Sequence, residues 1–195
     1  MLAFDIETQG LDSRIHQIIV ASVYDPDRNV KRTFHFMKDS AQFESEKNAF
    51  VQALDGADSL CSFNGIRFDI PFIASRFGIP PQQHAAWVLK TFDYFEVCKL
   101  CFASSCSLNK LLLANGYQPK ISHGLQAIEW ANQGRWEDVE EYCMSDAMLT
   151  HSICTSEKAI MLPLTGWSHP VTCVKQQPAL DARSVQTPAA SIFFV

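Results

Sequence analysis

The stretch Met1-Leu-Ala-Phe-Asp5-Ile-Glu7-Thr8 decides the fold. Apolar and β-branched residues dominate it and nothing in it breaks a strand, so it reads as a β-strand. Side chains alternate along a strand, which puts Leu2, Phe4 and Ile6 on one face and Ala3, Asp5 and Glu7 on the other. Two carboxylates therefore project side by side. Like charges at close range raise each other's pKa, and a cation between them relieves the repulsion. Hard oxygen ligands of this kind suit Mg²⁺ or Mn²⁺ better than zinc. The same alternation also describes a half-exposed edge strand with its acids in water, so the choice depends on what later segments bring to this strand.

Downstream, Gln9-Gly10-Leu11-Asp12 has turn chemistry, 17–24 reads as a second strand, and Asp25-Pro26-Asp27-Arg28-Asn29 is a turn. Residues 30–37 form a third strand, with Val30, Arg32, Phe34 and Phe36 alternating against Lys31, Thr33 and His35. Three strands joined by short turns make an antiparallel meander, and His35 is expected on its solvent face. Residues 41–54 carry Phe43, Ala49, Phe50, Val51 and Leu54 near helical spacing and stop at Gly56, which predicts an amphipathic helix. Residues 60–63 are a short buried strand. From there the order of elements is that of an α/β layer.

A second informative stretch is Phe63-Asn64-Gly65-Ile66-Arg67-Phe68-Asp69-Ile70-Pro71-Phe72-Ile73. Asn64-Gly65 is a tight turn leaving a strand, and Asp69 opens a helix that tolerates Pro71 in its first turn. Asp69 is then either a helix cap or a carboxylate brought beside the first strand, because functional groups of α/β sheets gather at strand ends. Residues 88–94 are expected to be a strand. Helices follow over 96–102 and 108–116, the second capped by Ser107, and a further one opens near Gly124.

The third stretch is Trp136-Glu-Asp-Val-Glu-Glu-Tyr142-Cys-Met-Ser-Asp146-Ala-Met-Leu-Thr150. Its acidic first turn and the apolar Val139, Cys143 and Leu149 mark a helix. Tyr142 and Asp146 stand four apart, so one helical face carries a phenol and a carboxylate together.

In order and context these three stretches resemble the three motifs of the DEDD, or DnaQ-like, 3′-5′ exonucleases, which have a ribonuclease H-like fold. The tyrosine four residues before the last acid resembles the DEDDy branch. Phe-Asp-Ile-Glu-Thr, Asn-Gly-Ile-Arg-Phe-Asp-Ile-Pro-Phe and Glu-Tyr-Cys-Met-Ser-Asp-Ala look closest to the proofreading domain of family B DNA polymerases and its free-standing relatives. The resemblance spans roughly the first four fifths of the chain, and it is specific because three separate motifs agree in order and spacing. It implies a ribonuclease H-like α/β fold: a mixed sheet, with a three-strand antiparallel meander plus parallel strands, flanked by helices. With no polymerase domain attached, proofreading within the same chain is not expected.

What the resemblance implies about chemistry is carried only onto matching positions. Asp5 would bridge two Mg²⁺ or Mn²⁺ ions, Glu7 and Asp146 would hold the ion that carries the attacking water, and Asp69 would help hold the other. Two such ions about 3.5–4 Å apart suit phosphodiester cleavage. Tyr142 would orient the water, since a free phenol with a pKa near 10 is mostly protonated at neutral pH. Thr8, Leu11 and Asn64 fall where relatives touch the terminal nucleotide, Phe68 is placed to stack on a base, and Lys120 and His123 are candidate phosphate ligands. Stacking needs an unpaired base, so the implied substrate is a single-stranded 3′ end, DNA ahead of RNA. The competing reading is an inactive exonuclease fold used as a nucleic-acid or protein-binding module, which would be expected to have lost one of the acids that are all present here.

Bulk properties agree with this reading. The chain of 195 residues, 47% hydrophobic and 19% charged, is sized for one well-buried domain and a modest appendage. No apolar run is long enough to span a membrane and no signal-peptide pattern opens the chain, so a cytoplasmic or nuclear location is expected rather than secretion. A net charge of −5 argues against coating nucleic acid by electrostatics alone, and four site carboxylates would account for most of it. Seven cysteines in an intracellular chain read as free thiols. Cys98, Cys101 and Cys106 lack the second pair that a zinc site needs. The domain is placed at 1–160. Residues 161–195, punctuated by Pro163, Pro170, Pro178 and Pro188, are read as an extended tail. Its end, Ser191-Ile-Phe-Phe-Val195 with Gln186 upstream, faintly resembles a peptide that docks on a sliding clamp, which would give a replication or repair partner; packing of Phe193 and Phe194 on the domain is the competing explanation.

Overall fold

The computed structural model describes residues 1–102, 106–118, 124–157, 160–161 and 170–171. A five-stranded sheet runs through the middle, ordered β3-β2-β1-β4-β5. Its strands are β1 (Leu2–Thr8), β2 (Ile18–Asp25), β3 (Val30–His35), β4 (Leu60–Ser62) and β5 (Thr91–Asp93). β1–β2 and β2–β3 are antiparallel, which is the expected meander, whereas β1–β4 and β4–β5 are parallel. A parallel partner needs a crossover. Helix α1 (Phe43–Asp55) supplies it between β3 and β4, and α2 (Asp69–Phe77) with α3 (Pro81–Leu89) between β4 and β5.

Alternation along β1 divides the molecule into three layers. Leu2, Phe4 and Ile6 pack against Phe50 and Leu54 of α1, Ile70, Phe72, Ile73 and Phe77 of α2, and Trp87 of α3. Ala3, on the opposite face, joins Tyr94 and Cys98 of α4 (Tyr94–Phe102), Leu108, Leu111 and Leu112 of α5 (Leu108–Ala114), and Ile153 of α7 (Trp136–Cys154). A third cluster seats Ala127 of α6 (Gly124–Asn132) and Val139 and Cys143 of α7 on Ile19 and Val20. Helix α7 therefore lies across β1 and β2 on the face that carries Asp5 and Glu7. No helix among the described residues is long and apolar enough to cross a membrane.

Three local expectations are corrected. The strand expected over 88–94 is only three residues long, because Val88 and Leu89 belong to α3 and Tyr94 already opens α4. Pro80 and Pro81 start α3, with Pro81 at the first helical position where its missing N–H costs nothing. His35 does not face solvent: its ring is mostly covered and Nε2 lies 2.9 Å from Glu140 Oε1 on α7, while its backbone N–H donates to Glu46 on α1. The helix over 108–116 ends at Ala114. Across the expected boundary at residue 160, β6 (Ile160–Met161) and β7 (Pro170–Val171) pair antiparallel; Gln186 and Ser191–Val195 lie outside the described residues. Among the described residues, Cys61, Cys98, Cys106, Cys143 and Cys154 are buried thiols outside any disulfide.

Candidate active site

The ladder between β1 and β4 covers only Leu2↔Leu60 and Ala3↔Cys61, so β1 runs on past the end of its parallel neighbour. Beyond that point a backbone N–H on the β4 side has lost its ladder partner and needs another acceptor. At Ile6 the acceptor is Asp69, whose Oδ1 takes the N–H at 3.2 Å. Asp69 is the first residue of α2, and Phe68 occupies the cap position without a side-chain capping bond. The acid therefore reaches across to the strand between Asp5 and Glu7 rather than capping its own helix.

From the other side, α7 brings Asp146 over the same strand. Ligand oxygens of Asp5, Glu7 and Asp146 all lie within 4.8 Å of one another, the one such cluster of potential metal ligands among the described residues. Glu7 and Asp146 are buried, and Asp5 is half-buried. A register shift in the β1–β2 ladder falls between Glu7 and Thr8, at the end of the strand where the acids converge. Bulges of this kind recur next to active sites, where they re-aim a side chain.

The electrostatics of the surroundings show how negative this locus is. Tyr142 is half-buried against Trp130, with ring centroids 6.1 Å apart. Burial, then the charges of Asp146, Glu7 and Asp5, push its phenol above the ordinary value. Cys143 is fully buried one residue further along, and its Sγ donates to the Asp5 carbonyl at 3.4 Å and to Asp5 Oδ2 at 3.6 Å. Burial and the charges of Asp5 and Glu7 drive that thiol well up. Burial, Asp93 and more weakly Asp146 push Asp69 up to about 7, against the pull of the Ile6 N–H. In Tyr142, Cys143 and Asp69 alike burial is the first cause of the upward shift, and neighbouring carboxylates add to it. A cluster of hard oxygen donors in such a field fits a divalent cation of the Mg²⁺ or Mn²⁺ type.

The remaining sequence-derived candidates have bonds and packing of their own. Thr8 Oγ1 donates to the Gly10 carbonyl at 2.9 Å. Leu11 is 85% exposed, free for a ligand contact. Asn64 adopts a left-handed φ of 69° and donates its N–H to Asp93 Oδ1 at 2.8 Å. Phe68 is tilted against Phe72, 5.5 Å away. Lys120 and His123 lie outside the described residues. Sequence reasoning missed Cys143 and Asp93. Only the turn of α7 over β1 sets Cys143 beside Asp5, and nothing in the spacing announces it. Asp93 had a signal, an acid just ahead of a helical run, but it falls in a segment expected to be a strand.

An α/β/α layered domain with an acidic cluster at the end of its central strand is the arrangement defined by these features. The chain belongs to the RNase H superfamily: the RNase_H_2 model of that superfamily matches residues 2–156. No curated protein matches the sequence. Among solved structures it is similar to the family B DNA polymerase from the hyperthermophilic archaeon Pyrobaculum calidifontis, with a TM-score of 0.62 and 17% identity over 78% of this chain. It spans about a quarter, 24%, of that polymerase. It is also similar to a nuclease in its apo form, with a TM-score of 0.54 and 22% identity over 77% of this chain and 68% of that one. At these identities the likeness is one of fold.

Proposed function

We propose that the protein is a metal-dependent 3′-5′ exonuclease that removes nucleoside 5′-monophosphates from single-stranded nucleic acid, DNA in preference to RNA. The observation that carries the reading is the convergence of Asp5, Glu7 and Asp146 from two distant elements, with their oxygens within 4.8 Å. Superfamily membership over residues 2–156 supports it. So does a fold shared with a nuclease and with a family B polymerase.

Asp5, Glu7 and Asp146 would hold the first divalent ion, and Asp5 with Asp69 the second. Bound there, the pair supplies Lewis acidity and neutralises the charge that builds on the phosphate. The chain's own groups do the rest. Tyr142, a phenol whose ordinary pKa near 10 leaves it protonated at neutral pH, orients the attacking water as a hydrogen-bond donor or through its oxygen, rather than acting as a full base. Water adds to phosphorus, the bond to the 3′-oxygen of the penultimate nucleotide breaks, and the chain is left one residue shorter with a 3′-hydroxyl. Thr8, Leu11, Asn64 and Phe68 would meet the terminal nucleotide, with exposed Leu11 and the Phe68 ring as candidates for the apolar contacts that unpaired bases seek.

The test is digestion of matched DNA and RNA oligonucleotides, labelled at either end, with Mn²⁺ or Mg²⁺ and with Asp5→Ala as control. Stepwise shortening from the 3′ end that needs metal and Asp5 is the expected result. Intact oligonucleotides under every metal would overturn the reading and leave a binding module; loss from the 5′ end would overturn its polarity.

A further inference from the structure

We infer that Asp93 is the positioning residue of this site: its one carboxylate fixes the turn that delivers Asp69 to β1. Asp93 is 3% exposed and lies at the end of β5, two strands away from the acid cluster. Its Oδ1 accepts the N–H of Asn64 at 2.8 Å and that of Phe95 at 2.8 Å. Its Oδ2 accepts the N–H of Ile66 at 3.0 Å and the hydroxyl of Ser62 at 3.3 Å. One buried group thus ties the end of β4, both faces of the following turn and the start of α4.

Most of those bonds converge on the turn between β4 and α2, whose own bonds, Phe68 N–H to the Asn64 carbonyl and Ile70 N–H to that of Gly65, tie it only to the helix that follows. Asn64 sits in the left-handed region, which a non-glycine residue adopts only when its surroundings impose it. Gly65 is pressed so closely on β4 that a Cβ there would meet Ser62 Oγ at 2.4 Å. Four residues on, the same chain presents Asp69 to the Ile6 N–H, between the two acids of β1. The path from Asp93 to the acid cluster is therefore short: hydrogen bonds from the carboxylate to the turn, three residues of chain from Ile66 to Asp69, and a hydrogen bond from the Ile6 N–H to Asp69. Groups that orient a metal ligand from behind are commonly worth 10- to 100-fold in activity or metal affinity. The inference rests on the nuclease reading for its kinetic consequence and on the geometry alone for its structural one.

Two variants separate positioning from stability. Asp93→Asn keeps the shape but places an NH₂ against backbone donors. Asp93→Ser keeps a cap for α4, as serine readily caps a helix, and is too short to reach the turn. Amide hydrogen exchange is followed at Asn64, Ile66 and Ile6 in the metal-free protein, beside kcat and KM with Mn²⁺. In both variants exchange at Asn64 and Ile66 should rise at least tenfold, the Ile6 amide should lose protection with them, and kcat should fall about 10- to 100-fold with KM within about threefold. If Asp93→Asn does not fold, Asp93→Ser decides. Protection at Ile6 that survives loss of protection in the turn overturns the inference, as does an unchanged kcat in a folded variant. Should the wild type prove to have no nuclease activity, the exchange pattern at Ile6 still tests the positioning, while the functional reading fails separately.

Discussion

Replacing Gly65 with alanine probes how tightly the turn after β4 is seated. The new Cβ would stand 2.4 Å from Ser62 Oγ, 2.5 Å from Ser62 Cβ and 3.2 Å from Phe4 Cζ. Carbon atoms pack at about 3.5–4.0 Å, so the turn has to retreat by roughly 1 Å. Overpacking of this kind costs ~1–3 kcal/mol. Because one obstacle is a β-carbon fixed to the backbone of β4 rather than a flexible tip, the upper part of that range, ~2–3 kcal/mol, is expected. At ~2–4 °C per kcal/mol for a chain of this size, Tm falls by ~4–12 °C. The retreat also carries Asp69 away from Ile6, a bond already 3.2 Å long. A misplacement on the order of 1 Å near a reacting centre can cost ~100-fold in rate. Ser62→Gly removes both clashing atoms of that residue; alone it costs ~1–2 kcal/mol, through a lost hydrogen bond to Asp93 and a glycine in a strand. In urea unfolding, the double variant should be less destabilised than the sum of the singles by ~1 kcal/mol or more. A Gly65→Ala protein within about 0.5 kcal/mol of wild type, or strict additivity in the pair, would refute the reasoning.

Further outcomes follow from the same geometry. Tyr142→Phe should keep the fold and Mn²⁺ binding by calorimetry yet lose on the order of 100-fold in kcat, and unchanged turnover would remove the phenol from the chemistry. Asp146→Asn lowers the charge of the cluster, so in EDTA its Tm should equal or exceed that of wild type; with millimolar Mn²⁺ the order should reverse, and a wild type that Mn²⁺ does not stabilise would contradict the metal reading. His151 is buried edge-on to Tyr24, and burial followed by the chain's amino-terminal charge lowers its pKa. The fold therefore favours the neutral ring, the unfolded chain takes up the proton first, and stability is lost as pH falls below about 6.5. Compared with His151→Gln across pH 7 to 5, wild type should lose ground steadily; a pH-independent difference would show that the ring does not titrate in that way.

The acids were legible in the sequence where a local rule fixes direction. Period-two alternation put Asp5 and Glu7 on one face of β1, and that is the face α7 covers. Spacing of four put Tyr142 and Asp146 together on α7. Asp69 had two readings, and the choice between them came from a distant fact, the point at which β4 stops pairing with β1. Helix α3 was hidden because only Trp87 among its residues is buried, so it shows little periodicity; the Pro80-Pro81 pair was its one clear mark. His35 alternated correctly but its face is roofed by α7, which strand patterning cannot see. Asp93 and Cys143 belong to the same class: each acts through tertiary neighbours that no local window contains.

The central strand is also synthesised well before the helix that completes its acid cluster. A nascent fragment holding β1 to β3 would carry two of the acids on a hairpin-like sheet, with Asp146 and its helix still to come. Cys143 of that helix and Asp5 are 138 positions apart, a separation that makes closure slow and late. The acid cluster would thus be completed in one event, when α7 docks.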